Sequence, residues 1–386
     1  MLKFLFGDSR CDFEAGKIMV QTEFPYYEPG QTVNGKVYIM VHKPFFAKHI
    51  ELEFTGKEKA SFIRHWTEYE GEGENRRAHE RHEKHKMNRR ILNYKEKVYK
   101  FDRETPFQPG NYAMSFQVEL PHGIPSSMYF KNKHVREEPK AKVKYTMKVV
   151  LDATNGAENM KYKQILAVRE KPVAFKAGES QSEESHVKTW CCIDQGFSKM
   201  TSHFEKNIYT PNEQAKCTIE IDNTGCQLDV TNVNFFVEQR LTIRTHHGFG
   251  GHQHHIVKRL IEDNEHGPAA GHGDWRKEFH LDLDKIRYEV AEFKKKKGVQ
   301  KKISPEDKFM MASVQPATHS RFITNEYFLC TRTAYSGCTC CSDLPDARLP
   351  LTIVPMVNPA CFGFQPPDDY EPMDIGFFKC DLAHDA

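Results

Sequence analysis

The sequence has no run approaching the roughly 18 consecutive apolar residues that a membrane-crossing helix needs, and no amphipathic helix of three turns. Its best helical candidate, residues 281–293, is short and runs into lysines. Net charge is also nearly absent: 55 Lys and Arg against 53 Asp and Glu leave +2 over 386 residues. No global field therefore draws the chain to nucleic acid or to a membrane, and any basic site has to be local. No nucleophile elbow, phosphate-binding loop, dinucleotide fingerprint or metalloprotease helix occurs, so an enzymatic reading has no motif behind it. The 11 cysteines are odd in number and bunched, as Cys191-Cys192 and as Cys338, Cys340 and Cys341. A disulfide framework would spread them, so the pattern favours reduced thiols. The N-terminal MLKFLFGDSRCDFE is too short an apolar run for a secretory signal. These absences together predict a cytosolic protein.

What is present is alternation. Apolar residues are 39% and charged residues 28% of a length that suits two domains of ordinary size. In PFQPGNYAMSFQVELPHGIPSSMYF (106–130), Tyr112, Met114, Phe116, Val118 and Leu120 fall on one face and Ala113, Ser115, Gln117 and Glu119 on the other. A period of two makes a half-buried strand with one apolar and one wet face, and Pro121, Gly123 and Pro125 end it. Similar segments occur at 33–41, 50–54, 143–151, 165–168, 217–221, 233–237, 323–329 and 349–354. Many short strands without helices predict an all-β sandwich architecture.

The pattern also repeats. YEPGQTVNGKVYIMV from Tyr27 matches YTPNEQAKCTIEI from Tyr209, and Tyr145 in one late strand matches Tyr327 in another; both pairs are 182 residues apart. IELEF (50–54) matches VNFFV (233–237) with a one-residue slip. Two tandem immunoglobulin-like β-sandwich domains follow, at 1–175 and 189–357. The Ser- and Glu-rich stretch 176–188 reads as a linker, and 358–386 as a tail. The charged stretches 64–90 and 246–273 read as solvated loops. They hold the clustered histidines (His79, His82, His85, then His246, His247, His252, His254 and His255); imidazoles this dense can bind a divalent metal adventitiously, but the flanking Gly, Arg and Glu favour solvated loops.

PGNYAMSFQVELPHGIPSS and YYEPGQTVNGKVYI resemble the N-domain of the arrestin family. KTWCCIDQGF, YTPNEQAKCTIEIDNTG and LPLTIVP resemble its second domain, with the α-arrestin, or arrestin-domain-containing, branch most similar. The Asp/Arg pattern of the visual and β-arrestin polar core does not stand out. The resemblance implies a non-enzymatic adaptor or scaffold, cytoplasmic and peripheral to membranes or endosomes. It would bind membrane-protein tails and trafficking partners in endocytosis, protein transport or signalling. The alternative is a structural subunit of a larger assembly, similar in role to retromer's arrestin-like subunit or to a cytoskeletal component.

Three local features carry the remaining expectations. In the arrestin layout Cys191 and Cys192 open the domain whose late hairpin holds Cys338, Cys340 and Cys341. Thiolates from two loops can complete a zinc site, although C-x-C-C lacks paired C-x-x-C spacing, and free or lipidated thiols are the alternatives. No other cofactor is expected. Lys294, Lys295, Lys296, Lys297, Lys301 and Lys302 form a basic run that suits anionic headgroups, or else a loop that merely solubilises. The tail holds Pro366, Pro367 and Tyr370. Many α-arrestins dock Pro-Pro-x-Tyr on WW domains of ubiquitin ligases, but here one extra residue turns the tyrosine off a three-residue-per-turn helix.

Overall fold

A computed structural model describes residues 12–71, 76–190, 193–245, 251–286, 314–339, 342–354 and 359–382. The first half runs β1 (Asp12–Phe13), β2 (Gly16–Thr22), β3 (Thr32–Val41), β4 (Ala47–Glu70), β5 (Arg77–Lys100), β6 (Gly110–Glu119), β7 (Met128–Lys131), β8 (Lys140–Ala153) and β9 (Met160–Leu166). The second runs β10 (Ala177–Thr189), β11 (Ile193–Lys206), β12 (Ile208–Tyr209), β13 (Gln214–Asp222), β14 (Val230–Arg244), β15 (Gln253–Glu265), β16 (Trp275–Asp282), β17 (Thr318–His319), β18 (Ile323–Tyr335) and β19 (Asp346–Ile353), and β20 (Met373–Asp381) closes the series.

Two sandwiches result. In the first, the sheet β1-β2-β3-β6-β20 faces β5-β4-β8-β7, with β9 also on β8; in the second, β10-β11-β13-β16 faces β12-β19-β18-β14-β15, with β17 also on β18. The repeat read in the sequence is a repeat of topology. Ile50 pairs with Leu151 and Gly56 with Tyr145 across β4 and β8. Val233 pairs with Thr333 and Gln239 with Tyr327 across β14 and β18, at the one-residue slip. Tyr27, Tyr145, Tyr209 and Tyr327 are all nearly fully buried. Such rings each contribute on the order of 1.5–3 kcal/mol by leaving water, and their hydroxyls need partners. Tyr145 donates to the Pro125 carbonyl at 2.9 Å and Tyr327 to that of Gln315 at 2.7 Å. Each thereby ties down an irregular segment.

Three expectations change. Residues 177–189 are β10, the first strand of the second sandwich, and not a linker. Its pattern was invisible because it is an edge strand whose polar side chains bond the facing sheet. Gln181 and Glu183 accept the backbone N–H groups of Arg348 and Asp346 at 3.1 and 3.0 Å. Most of the charged stretch 64–90 is the distal part of the β4–β5 hairpin, which runs on past the sandwich, so both faces are wet and no alternation shows. Within 246–273, Gln253–Glu265 is β15, and 246–250 lie outside the described residues. In line with the weak helical pattern at 281–293, residues 281–285 are the end of β16 and a 3-10 turn at Leu283–Lys285, and 287–293 lie outside the described residues.

The tail returns to the first domain. Phe364 donates to the Val20 carbonyl at 2.8 Å, and Gln164 and Thr22 both donate to that of Cys361. Gly363, at φ 75°, makes the crossing: a Cβ there would stand 2.0 Å from Val20 O. Phe364 and Tyr370 then cover Met19, Tyr38 and Ala113. Ala113, expected on a wet face, is therefore buried.

Candidate functional site

Two features could receive or control a partner: the seam between the domains, and the sheet edge where β20 sits. The seam is built on the proline-rich exit after β6. Pro121–Pro125 leave the strand stiffly, and Ser126 and Ser127 then turn the chain into β7. Ser126 Oγ accepts the Glu170 N–H at 2.8 Å and donates to the Ala317 carbonyl of the second domain at 2.7 Å. Gln315 accepts the Tyr129 N–H at 2.7 Å. The segment 314–323 thus lies on the first domain by hydrogen bonds, and the apolar core follows it. Leu241, Ile243, Phe322 and Ile323 belong to the cluster that fills the first sandwich.

Two carboxylates organise this contact. Glu58 on β4 is fully buried; its Oε1 accepts from Phe322 N–H at 2.8 Å and from Ser320 Oγ, while Oε2 meets no partner. Glu170 accepts from Ser126 N–H, Thr318 Oγ1, His319 N–H and the His319 ring. Burial works against its charge, but the donors from His319, Thr318 and Ser126 outweigh burial and hold its carboxyl below the usual range. The His319 ring lies 2.9 Å from Glu170 and 3.3 Å from Glu326. Its bond to Glu170 is the main reason its pKa rises to about 9, against the opposing effect of burial. A carboxylate–imidazolium pair therefore ties β17 to the first domain at neutral pH. Beside it, Arg89, Arg244 and Arg321 line a cleft with His122. None of these groups forms a nucleophile–base pair. The arrangement holds two domains together through charge.

The second feature is the edge of β6. Backbone N–H and C=O groups on an edge strand seek a partner, and β20 supplies it in parallel, from Met373 opposite Tyr112 to Asp381 opposite Glu119, with a bulge between Asp374 and Gly376. Cys380 and Leu382 are buried in the first core, and Ile375 and Phe378 pack against it. Met373 and Phe377 face outward, 66% and 60% exposed. The strand is thus held by its backbone and by a few alternate side chains.

The residues singled out from sequence are placed as follows. Trp190 N–H donates to the Cys338 carbonyl at 3.1 Å, and Ser342 Oγ bonds both the N–H and the carbonyl of Lys188. The flanks of the two cysteine loops therefore adjoin, while Cys191, Cys192, Cys340 and Cys341 themselves lie outside the described residues. Lys294, Lys295, Lys296, Lys297, Lys301 and Lys302 also lie outside them. Pro366 lies in the irregular segment before the tail's turn. Pro367 accepts the Tyr370 N–H at 3.1 Å in that turn, and Tyr370 packs edge-on against Tyr38 and Phe364. Burial pushes its phenol up to about 12. The proline-tyrosine segment is thus folded onto the first domain and is not an extended ligand. Ser126, Glu170, Glu58 and His319 escaped sequence reading. In the sequence the Pro-Ser-Ser exit reads only as a structural turn.

The family model for the arrestin (or S-antigen) N-terminal domain matches residues 16–172, and that for the arrestin C-terminal domain matches 195–358. Arrestin domain-containing protein A of Dictyostelium discoideum is 24% identical over 230 residues, covering 59% of this chain and 38% of that protein. Arrestin domain-containing protein 17 of Caenorhabditis elegans is 24% identical over 266 residues, covering 65% of this chain and 58% of its own length. The matches thus span little more than a third to somewhat over half of these relatives. Among the described residues no helix is long and apolar enough to cross a membrane. With both family models matched in order, over two sandwiches that share one topology, the chain belongs to the arrestin family.

Proposed function

We propose that the protein is a non-enzymatic adaptor that takes up extended segments of other proteins, such as the cytosolic tails of membrane proteins, by adding them as a strand to the β6 edge of its first domain. The observation that carries this reading is β20. An irregular tail becomes a strand at that edge and holds on mainly by main-chain bonds, which is the mode by which sheet edges recognise peptides. Family membership and the adaptor role usual in arrestins support it. On this reading β20 is a resident occupant that an incoming tail replaces, and outward-facing Phe377 and Met373 are spare apolar contacts beside the edge. The seam holds the second domain at a set angle, so that both domains can face one partner. The basic run Lys294–Lys302 would add a salt-sensitive attraction to an anionic membrane.

The test is a binding titration with membrane-protein tail peptides. Phe378→Asp weakens the seating of β20 without touching the β6 backbone, so it should raise peptide affinity by about tenfold as the competing strand loosens. Unchanged affinity in this variant would place any peptide elsewhere. Native protein found only within one fixed-stoichiometry complex would favour a structural subunit instead.

A further inference from the structure

The β4–β5 hairpin of the first domain meets the β14–β15 hairpin of the second, and imidazoles make the contact. His85 on β5 stands opposite Phe62 on β4, their rings 5.1 Å apart. His252, just before β15, packs on His85 at 4.9 Å, and His254 stacks on Phe62 at 5.6 Å. The backbone of His252 is fixed on both sides, donating to Thr245 Oγ1 at 3.0 Å and accepting from Thr245 N–H at 2.9 Å. Glu83 lies two residues along β5 from His85, on the same face, with a carboxylate oxygen 3.6 Å from His85 Nε2.

Three observations point to a ligand here. One donor atom from each of Glu83, His85 and His252 lies within 4.8 Å of the others. A tetrahedral ion with bonds of about 2.0–2.2 Å spaces its ligands by roughly 3.3 Å, so small side-chain rotations close the triangle. His85 Nε2 is buried without a hydrogen-bond partner, on a side chain only 12% exposed, and a buried nitrogen left unpaired is unfavourable. His252 Nε2 already faces a cation, because Arg64 Nη1 lies 3.2 Å from it. A guanidinium only donates, so Nε2 is the acceptor, and its lone pair becomes available to a metal once Arg64 is displaced. Arg64 also lies over the Trp66 ring at 5.4 Å, which offers it a seat away from His252.

We infer that Glu83, His85 and His252 bind a divalent transition-metal ion of the zinc class and so pin the β4–β5 hairpin of the first domain to the β14–β15 hairpin of the second. Two imidazoles and one carboxylate suit a borderline cation better than calcium or magnesium. Three protein ligands leave a further position for water or for a group on a partner. The set shares no residue with the cysteine cluster, so the two can be told apart by their ligand chemistry.

The test is titration of chelator-stripped full-length protein with Zn2+, and with Co2+ for its spectrum. The expected result is a bound cobalt ion without a thiolate charge-transfer band, whose affinity falls about 10–100-fold in His85→Ala and in His252→Ala. Glu83 is 55% exposed, so its replacement threatens no core; Glu83→Gln should weaken binding about tenfold. Arg64→Gln should tighten it about tenfold, because a unit charge a few ångströms from the ion is removed. At a fixed concentration, Zn2+ should raise the melting temperature of the wild type by more than that of Glu83→Gln. Titration of Glu83→Gln and both histidine variants like the wild type, or cobalt held solely with a thiolate band that survives His85→Ala, overturns the inference.

Discussion

Replacing His319 with Gln tests the electrostatic part of the domain seam. The substitution removes the ring that bridges Glu170 and Glu326 at 2.9 and 3.3 Å and leaves the backbone N–H bond to Glu170 in place. A hydrogen bond to a charged partner is worth about 1.5–3 kcal/mol. The His319 side chain is 56% exposed, however, and screening of a half-exposed pair reduces this to about 1 kcal/mol. The sign follows from the shift. The folded pKa of about 9 exceeds the free value of 6.5, so the contribution is complete below pH 6.5 and is lost as pH rises through 9. Glu170 behaves in the opposite sense. Its carboxyl is held below 4.5, so its contribution is present above that pH and is lost on acidification through its folded value. Calorimetric melts at pH 6 and at pH 10 should therefore show the wild type about 2 °C more stable than His319→Gln at the lower pH, and the two nearly equal at the higher. The chain has 20 histidines, so the difference between the two proteins is the quantity that counts. If both lose stability in parallel between these pH values, the pair does not hold the seam.

Glu58→Ala strands the buried Phe322 N–H and leaves the Ser320 hydroxyl to the Ile323 carbonyl; chemical denaturation should show a loss of about 2 kcal/mol, and a loss below about 1 would mean that water replaces the carboxylate. Gly363→Ala forces a side chain into the left-handed region and onto Val20 O. It should loosen the tail by at least about 1 kcal/mol, seen as faster proteolysis after residue 363, whereas an unchanged cleavage rate would refute the crossing geometry. If Cys191, Cys192, Cys338, Cys340 and Cys341 hold zinc, gently purified protein should carry a thiolate-bound ion whose removal destabilises the second domain; metal analysis showing none leaves them as free or modified thiols. Replacing Lys294, Lys295, Lys296, Lys297, Lys301 and Lys302 with Gln should weaken binding to anionic liposomes without lowering the melting temperature, and equal binding would make the run a solubilising loop.

Legibility followed burial. Strands with one face in the core, such as β3, β6, β8 and β18, show their alternation because every second residue leaves water. The register slip between IELEF and VNFFV was readable because the paired tyrosines on β8 and β18 anchor both copies. Elements whose partners are polar or distant left no such trace. On β10 only Val187 and Thr189 are buried, while Gln181 and Glu183 bond backbone on β19. The distal β4–β5 hairpin is wet on both faces. β20 carries two adjacent phenylalanines, and its bulge breaks the period at Ile375, so the sequence showed a tail where the chain makes an edge strand. The site suffers more from the same limit. Glu58, Glu170 and His319 are ordinary charged residues until the fold brings together segments more than a hundred residues apart, and His85 meets His252 only because two hairpins from different domains touch.

The central claim, that an extended partner enters the β6 edge in place of β20, is tested most directly by hydrogen exchange on the full-length protein with and without a saturating tail peptide. The account predicts that β20 amides (Met373–Asp381) lose protection on binding while those of β6 (Gly110–Glu119) stay protected, because one strand has replaced another on the same edge. A bound peptide that leaves β20 as protected as before would contradict it.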